Sequence, residues 1–213
     1  MLHIVNGGNV AHYASELEQA YRLRHRVFVE EKGWQRLRSK DGLERDGFDD
    51  AYAIHLMIVE AGVVVGYSRL LPTSRPHLLS DVYPYLAQRS IPRGGDVFEW
   101  TRYCVAPRKR GDGAVGNTGS QLLYCVLDYA MSQGVAALTM QSDPLWITRF
   151  LDFGFHVEPL GLPQQLDGDL TVALCVHLSK EALEICRRRL RVKRLRTESR
   201  GTPWPAIAKN AAA

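Results

Sequence analysis

The chain has 213 residues, 46% hydrophobic and 23% charged, a balance that can bury a real core. No apolar run approaches the roughly 18 to 20 residues that cross a bilayer, and the N-terminal "MLHIVNGGNVAHYASELEQ" lacks the basic-then-apolar pattern of a secretory signal. A cytoplasmic protein without a membrane partner is expected. The net charge of +4 comes from residues 187–200, "RRRLRVKRLRTESR", with seven arginines, one lysine and one glutamate, so the chain before them is net acidic.

This division suggests one domain over 1–186 and a basic tail over 187–213, peripheral or partly disordered. The four cysteines (Cys104, Cys125, Cys175, Cys186) have neither C-x-x-C spacing nor a histidine doublet, so buried thiols are expected and no metal. The tail has no interleaved aromatics between 187 and 200, and nucleic-acid binding is not expected of it.

Residues 11–31 have helical periodicity, with Tyr13, Leu17, Tyr21, Arg24 and Phe28 on one stripe. Arg24 is the charged member. A guanidinium on an apolar face needs a carboxylate or an anion, unless it reaches water at the helix edge. "DGLERDGFDD" (41–50) then concentrates carboxylates in a loop. Its spacing Asp41, Glu44, Asp46, Asp49 does not match the ligands of a calcium loop.

"YAIHLMIVE" (52–60) and "VVVGYSRLL" (63–71), separated by "AG", predict an antiparallel hairpin. A short helix and a Pro/Gly-rich loop follow over 77–95, then a strand, "VFEWTRYCV" (97–105). "RKRGDG" (108–113) precedes a helix over 120–134 stopped by Gly134. It is neither a Walker A loop nor G-x-G-x-x-G. Such a loop turns N–H groups and basic side chains toward an anion, and Arg108, Lys109, Arg110, Gly111 and Gly113 are candidates to hold acyl-carrier phosphates. A strand (135–141), a short helix capped by Asp143 (143–154) and strands at 155–161 and 170–179 complete an α/β pattern with a mixed sheet.

Several spaced pieces resemble the acyl-homoserine-lactone synthases, the LuxI-type autoinducer synthases. They are Arg24, Phe28 and Trp34 in "RHRVFVEEKGW", Asp46 and Asp49 in "ERDGFD", Arg69 in "RLLPTSRP", and Glu99 and Arg102 in "FEWTRYCV". The resemblance implies a three-layer α-β-α sandwich with a twisted mixed sheet, like the N-acyltransferases of the GNAT fold. It implies no prosthetic group and two small-molecule substrates. S-adenosylmethionine is acylated on its amine by an acyl thioester, then closes to an N-acyl-homoserine lactone, releasing methylthioadenosine.

On that resemblance Glu99 and Arg102 are the catalytic candidates, with Glu99 accepting the amine proton. Arg24, Phe28, Trp34, Asp46, Asp49 and Arg102 bind S-adenosylmethionine. Asp46 and Asp49 either hold the amine or orient Arg24, Arg69 and Arg102 in an ion-pair network. Alanine at Asp46 or Asp49 is expected to abolish lactone synthesis and leave the fold intact. Trp100, Thr139, Met140, Ser142 and Trp146 are acyl-pocket candidates. The bulk of Trp100 points to a short, branched or aryl acyl group and to acyl-CoA as donor, with acyl-carrier protein the alternative. Glu99 and Arg102 lie three apart and would face opposite sides of a regular strand, so a bulge near Trp100 or Thr101 is expected. The competing function is a GNAT-fold N-acyltransferase acting on another amine without S-adenosylmethionine.

Overall fold

In the computed structural model, which describes residues 1–110 and 117–200, apolar side chains gather into two compact units. Of the described residues, the first comprises 1–69, 102–110, 117–126 and 190–200; the second comprises Leu70–Thr101 and Leu127–Arg189.

In the first unit β1 (Leu2–Val5) pairs antiparallel with β2 (Ile54–Glu60), which neighbours β3 (Val63–Pro72). The expected hairpin turn is Ala61–Gly62, with φ of +48° and +77° at the two residues. Two left-handed residues match the twist of the strands they join. α1 (Ala14–Arg24) buries Leu17, Ala20, Leu23 and Arg24. The predicted helix does run on to Glu31, but His25–Glu31 is a π-helical segment, in which Lys32 N–H reaches back to Val27 O (3.1 Å). Such wide turns rotate the following side chains off the α-helical stripe.

The strand β1 escaped the sequence reading because four residues, "LHIV", with a buried histidine give almost no periodicity. The basic segment is partly built into the fold: α4 (Lys180–Leu190) runs across the 186/187 position, and β9 (Thr197–Glu198) pairs parallel with β1. Arg200 N–H donates to Tyr13 Oη (2.6 Å), and Gln121 Nε2 donates to Lys193 O (2.6 Å).

In the second unit the strand order is β6 (His156–Pro159), β8 (Asp169–His177), β5 (Ala137–Ser142), β4 (Val97–Val105), with the short β7 (Gln164–Leu166) also on β8. β5 is parallel to β4 and antiparallel to β8, so the sheet is mixed as expected. The β4–β5 ladder ends at Glu99 and Thr139, although β5 continues to Ser142. α2 (Thr118–Ser132) stops before Gly134 (φ +80°), and α3 (Leu145–Asp152) before Gly154 (φ +84°). Asp143 Oδ1 accepts the Leu145 N–H (2.8 Å) at the start of α3.

The loop through Leu86 docks by Gln88 and Arg89 N–H groups donating to Leu160 O (2.8 and 3.0 Å). A methyl on Gly161 would sit 2.3 Å from Leu86 O, a backbone atom that cannot turn aside. Gly161→Ala is therefore expected to lower unfolding free energy by about 1–3 kcal/mol, read by urea denaturation.

Candidate active site

Six charged side chains converge in the first unit. Arg24 closes α1, Glu44, Asp46 and Asp49 stand in the acidic loop, Arg69 is on β3 and Arg102 on β4. Arg24 and Arg69 have no exposed surface. Glu44 Oε2 accepts from Arg24 Nε (2.5 Å) and Arg102 Nε (3.0 Å), and its Oε1 from Arg102 Nη2 (3.0 Å). Asp46 accepts two bonds from Arg69 (2.6 and 3.0 Å) and one from Arg102 Nη2 (2.9 Å). Asp49 Oδ1 accepts from Arg24 Nη1 and Arg69 Nη1, both at 2.7 Å.

Three carboxylates thus neutralise three guanidiniums. Arg24 does not reach water at the helix edge, and the carboxylates of Asp46 and Asp49 are engaged by arginines. Tyr67 Oη extends the cluster, accepting from Arg24 Nη1 (3.3 Å) and bonding His55 Nδ1 (2.7 Å).

The loop presents these groups through its own turns. Asp46 Oδ1 accepts Phe48 N–H (2.9 Å), Asp49 Oδ2 accepts Asp46 N–H (2.9 Å), and Glu44 N–H donates to Tyr21 O on α1 (3.1 Å). The sequence reading weighed Glu44 only as a metal ligand and did not use Tyr67 or His55. Charge balance held the missing signal, because three arginines on buried elements require three carboxylates.

Burial alone would push all three carboxyls up. For Glu44, Arg102 and Arg24 more than offset it; for Asp46 the bonds and charge of Arg69 do; for Asp49, Arg24 and Arg69 do. All three sit below the ordinary carboxylate range. A depressed folded pKa supplies stability above the unfolded value and loses it as pH falls. Glu99 has the opposite sign, being raised by burial. Unfolding free energy is expected to drop steadily below about pH 4 to 5, measured by denaturation at stepped pH. A flat profile there would mean the network contributes nothing.

Beside the cluster, Phe28 and Trp34 stack at 5.2 Å with rings 10° apart, and the Arg102 guanidinium lies 5.7 Å from the Phe28 centroid. The backbone of β4 turns left-handed at Arg102 (φ +57°), directly after the Trp100–Thr101 stretch where a bulge is expected. A non-glycine residue is held there because its side chain makes four bonds to Glu44 and Asp46. In the basic loop Lys109 pairs with Glu60 and Arg110 with Glu31, both at 2.5 Å, while Arg108 is exposed. Gly111 and Gly113 lie outside the described residues.

The second unit holds Glu99 with no exposed surface. Its Oε2 accepts Leu78 N–H (2.9 Å), and its Oε1 accepts Leu79 N–H (2.6 Å) and Gln141 Nε2 (2.8 Å). Those three donors hold a carboxylate in place while burial raises its proton affinity, a combination suited to a proton acceptor. Thr139, in register with Glu99, shares its face of the sheet, and Thr139 Oγ1 and His77 Nε2 are buried without a hydrogen-bond partner among the described residues.

The acyl-pocket candidates divide between two faces. Strand alternation puts Thr139 with Glu99 and turns Met140 and Ser142 the other way. Trp100, next to Glu99 on β4, faces away from it and packs edge-on to Trp146 (6.3 Å) and Phe150 (6.2 Å). The five residues therefore do not line one cavity wall. Among the described residues no cluster could hold a metal ion, and no helix is long and apolar enough to cross a membrane.

Comparison with known proteins shows the family of the chain. A model of the family described as autoinducer synthase matches residues 9–184. The chain belongs to the autoinducer synthase family. It is an acyltransferase of the acyl-homoserine-lactone synthase class. An isovaleryl-homoserine lactone synthase from Bradyrhizobium diazoefficiens is 38% identical over 191 residues, 89% of this chain and 85% of that one. A solved CoA-dependent acyl-homoserine lactone synthase, with SAM and isopentyl-CoA, superposes with a TM-score of 0.88 at 36% identity, over 98% of this autoinducer synthase and 97% of that chain. An acyl-CoA N-acyltransferase from Pseudomonas aeruginosa, at 18% identity and a TM-score of 0.58 over 84% of this chain and 99% of that one, shares the fold.

Proposed function

We propose that this synthase joins an acyl-CoA to the amine of S-adenosylmethionine and releases an N-acyl-L-homoserine lactone and methylthioadenosine, the lactone serving as a diffusible signal. The observation that carries the reading is Glu99, a buried carboxylate held by two backbone N–H groups where the β4–β5 ladder ends. An ammonium cannot attack a thioester, so a base must first take its proton. Glu99 takes it. The free amine attacks the thioester carbon, the C–N bond forms, and the C–S bond breaks. The methionine carboxylate then displaces methylthioadenosine as the lactone ring closes.

Asp46 and Arg102 offer the polar edge of the cluster to S-adenosylmethionine, with Arg24 and Asp49 buried behind them in the same network, and Phe28 and Trp34 offer their faces to its adenosine and sulfonium. Because the six-charge cluster is neutral, it meets the substrate as preorganised dipoles and does not present excess negative charge. Arg69 orients Asp46 and Asp49. Trp100, Met140, Ser142 and Trp146 bound the apolar region on their face of the sheet, and Thr139 stands on the Glu99 face. The basic residues Arg108, Lys109 and Arg110, with Gly111 and Gly113, are assigned to carrier phosphates.

A coenzyme A donor and a short branched acyl group, in preference to an aryl one, are supported by the likeness to an isovaleryl-homoserine lactone synthase and to a CoA-dependent one. Incubation with S-adenosylmethionine and matched acyl-CoA and acyl-carrier donors, with mass detection of products, tests this. Lactone and methylthioadenosine are expected, fastest with branched short-chain acyl-CoA. A large carrier-protein advantage would overturn the donor. Acylation of another amine without methylthioadenosine would overturn the whole reading in favour of a different N-acyltransferase.

A further inference from the structure

Each ring of the Phe28–Trp34 stack carries a cation. The Arg102 guanidinium lies 5.7 Å from the Phe28 centroid, and Lys32 Nζ lies 5.2 Å from the Trp34 centroid. The two cations differ in freedom. Arg102 is fixed by its bonds to Glu44 and Asp46, whereas Lys32 is exposed at the end of a flexible four-carbon stem. The local backbone builds this arrangement. Lys32 N–H donates to Val27 O (3.1 Å) as the π-helical segment ends, Gly33 turns left-handed (φ +77°), and Trp34 N–H returns to Phe28 O (2.9 Å). Lys32 also borders a cavity of about 280 Å³ with Val27, Glu31, Tyr103, Cys104 and Val105, so it stands at a wall where a small ligand can be held.

Trp34 gives one face to Phe28, which leaves one for a cation, and Lys32 holds that place. A sulfonium carries the same charge and is drawn to the same ring. Resting on the synthase reading above, we propose that Lys32 is a specificity-determining residue, a built-in competitor for the Trp34 face that the S-adenosylmethionine sulfonium takes. Substrate binding then exchanges one cation for another over the ring. When the lactone closes, the electron pair of the broken C–S bond stays on sulfur, and methylthioadenosine is a neutral thioether. That product gives Trp34 no cation, so Lys32 retakes the face and favours the product's departure. A neutral ligand displaces Lys32 at a net loss of attraction, whereas the sulfonium replaces what it removes.

Titration calorimetry on the full chain, without an acyl donor, tests this with S-adenosylmethionine and with methylthioadenosine as ligands. Lys32→Ala removes the competitor, so both dissociation constants should fall about two- to fivefold. Lys32→Arg keeps a cation over the ring and should leave both within about twofold of wild type. Unchanged constants in Lys32→Ala overturn the proposal. Tightening of S-adenosylmethionine alone overturns it too, because that is charge repulsion without competition for the ring. In NMR spectra of the free wild-type protein, the Trp34 ring current should shift the Lys32 ε-methylene protons upfield, and either ligand at saturation should remove that shift. A shift that persists overturns the proposal as well. A wild-type chain that binds neither ligand overturns the synthase reading, and this proposal with it.

Discussion

Replacing Glu99 with glutamine is expected to lower kcat by about 10²- to 10⁴-fold while the chain still folds. Glutamine keeps an oxygen to accept the Leu79 and Gln141 bonds, but turns an amide NH₂ toward the Leu78 N–H. That mismatch costs about 1–3 kcal/mol, short of unfolding a typical domain. The pH dependence separates chemistry from architecture. An α-amino group loses its proton at roughly pH 8, so the substrate deprotonates itself above that value. The glutamine variant should then close part of its deficit as pH rises, whereas a merely misfolded site would not recover. Single-turnover rates from pH 6.5 to 9.5 make the comparison, and a variant as fast as wild type throughout removes Glu99 from the mechanism.

Asp49→Ala should lose about 3–5 kcal/mol of unfolding free energy, measured by urea denaturation. Arg24 and Arg69 have no exposed surface, and both donate to Asp49 Oδ1. Removing the carboxylate strands part of two buried positive charges and also strips the acceptor from Asp46 N–H. Asp49→Asn keeps an oxygen and should fall between wild type and alanine. This revises the expectation, drawn from the sequence, that alanine at Asp49 would abolish synthesis with the fold untouched. An unchanged midpoint in Asp49→Ala would show that water enters and solvates the arginines.

The α/β pattern was readable because the hairpin, α2 and β8 carry strong periodicity over long runs. The strands β1, β7 and β9 were not, since two to four residues give no period and their places depend on distant partners. In the site, the charged residues could be picked from the chain, but their pairing could not. Glu44 differs from the exposed Asp41 and Asp50 in facing inward, which the loop's turns decide. The division of Thr139 from Met140 follows from strand alternation and was legible.

The strand β9 bears on solubility. Its two residues occupy the edge of β1 opposite β2, where Leu2 N–H donates to Arg196 O (3.0 Å). A strand that short, flanked by Arg196 and Arg200, offers little for another chain to add to, so it acts as a stopper. A version ended at residue 186 would bare the backbone of "LHIV", an apolar edge able to pair with its counterpart in a second molecule. Such a chain could keep every residue assigned to chemistry and still be lost to self-association.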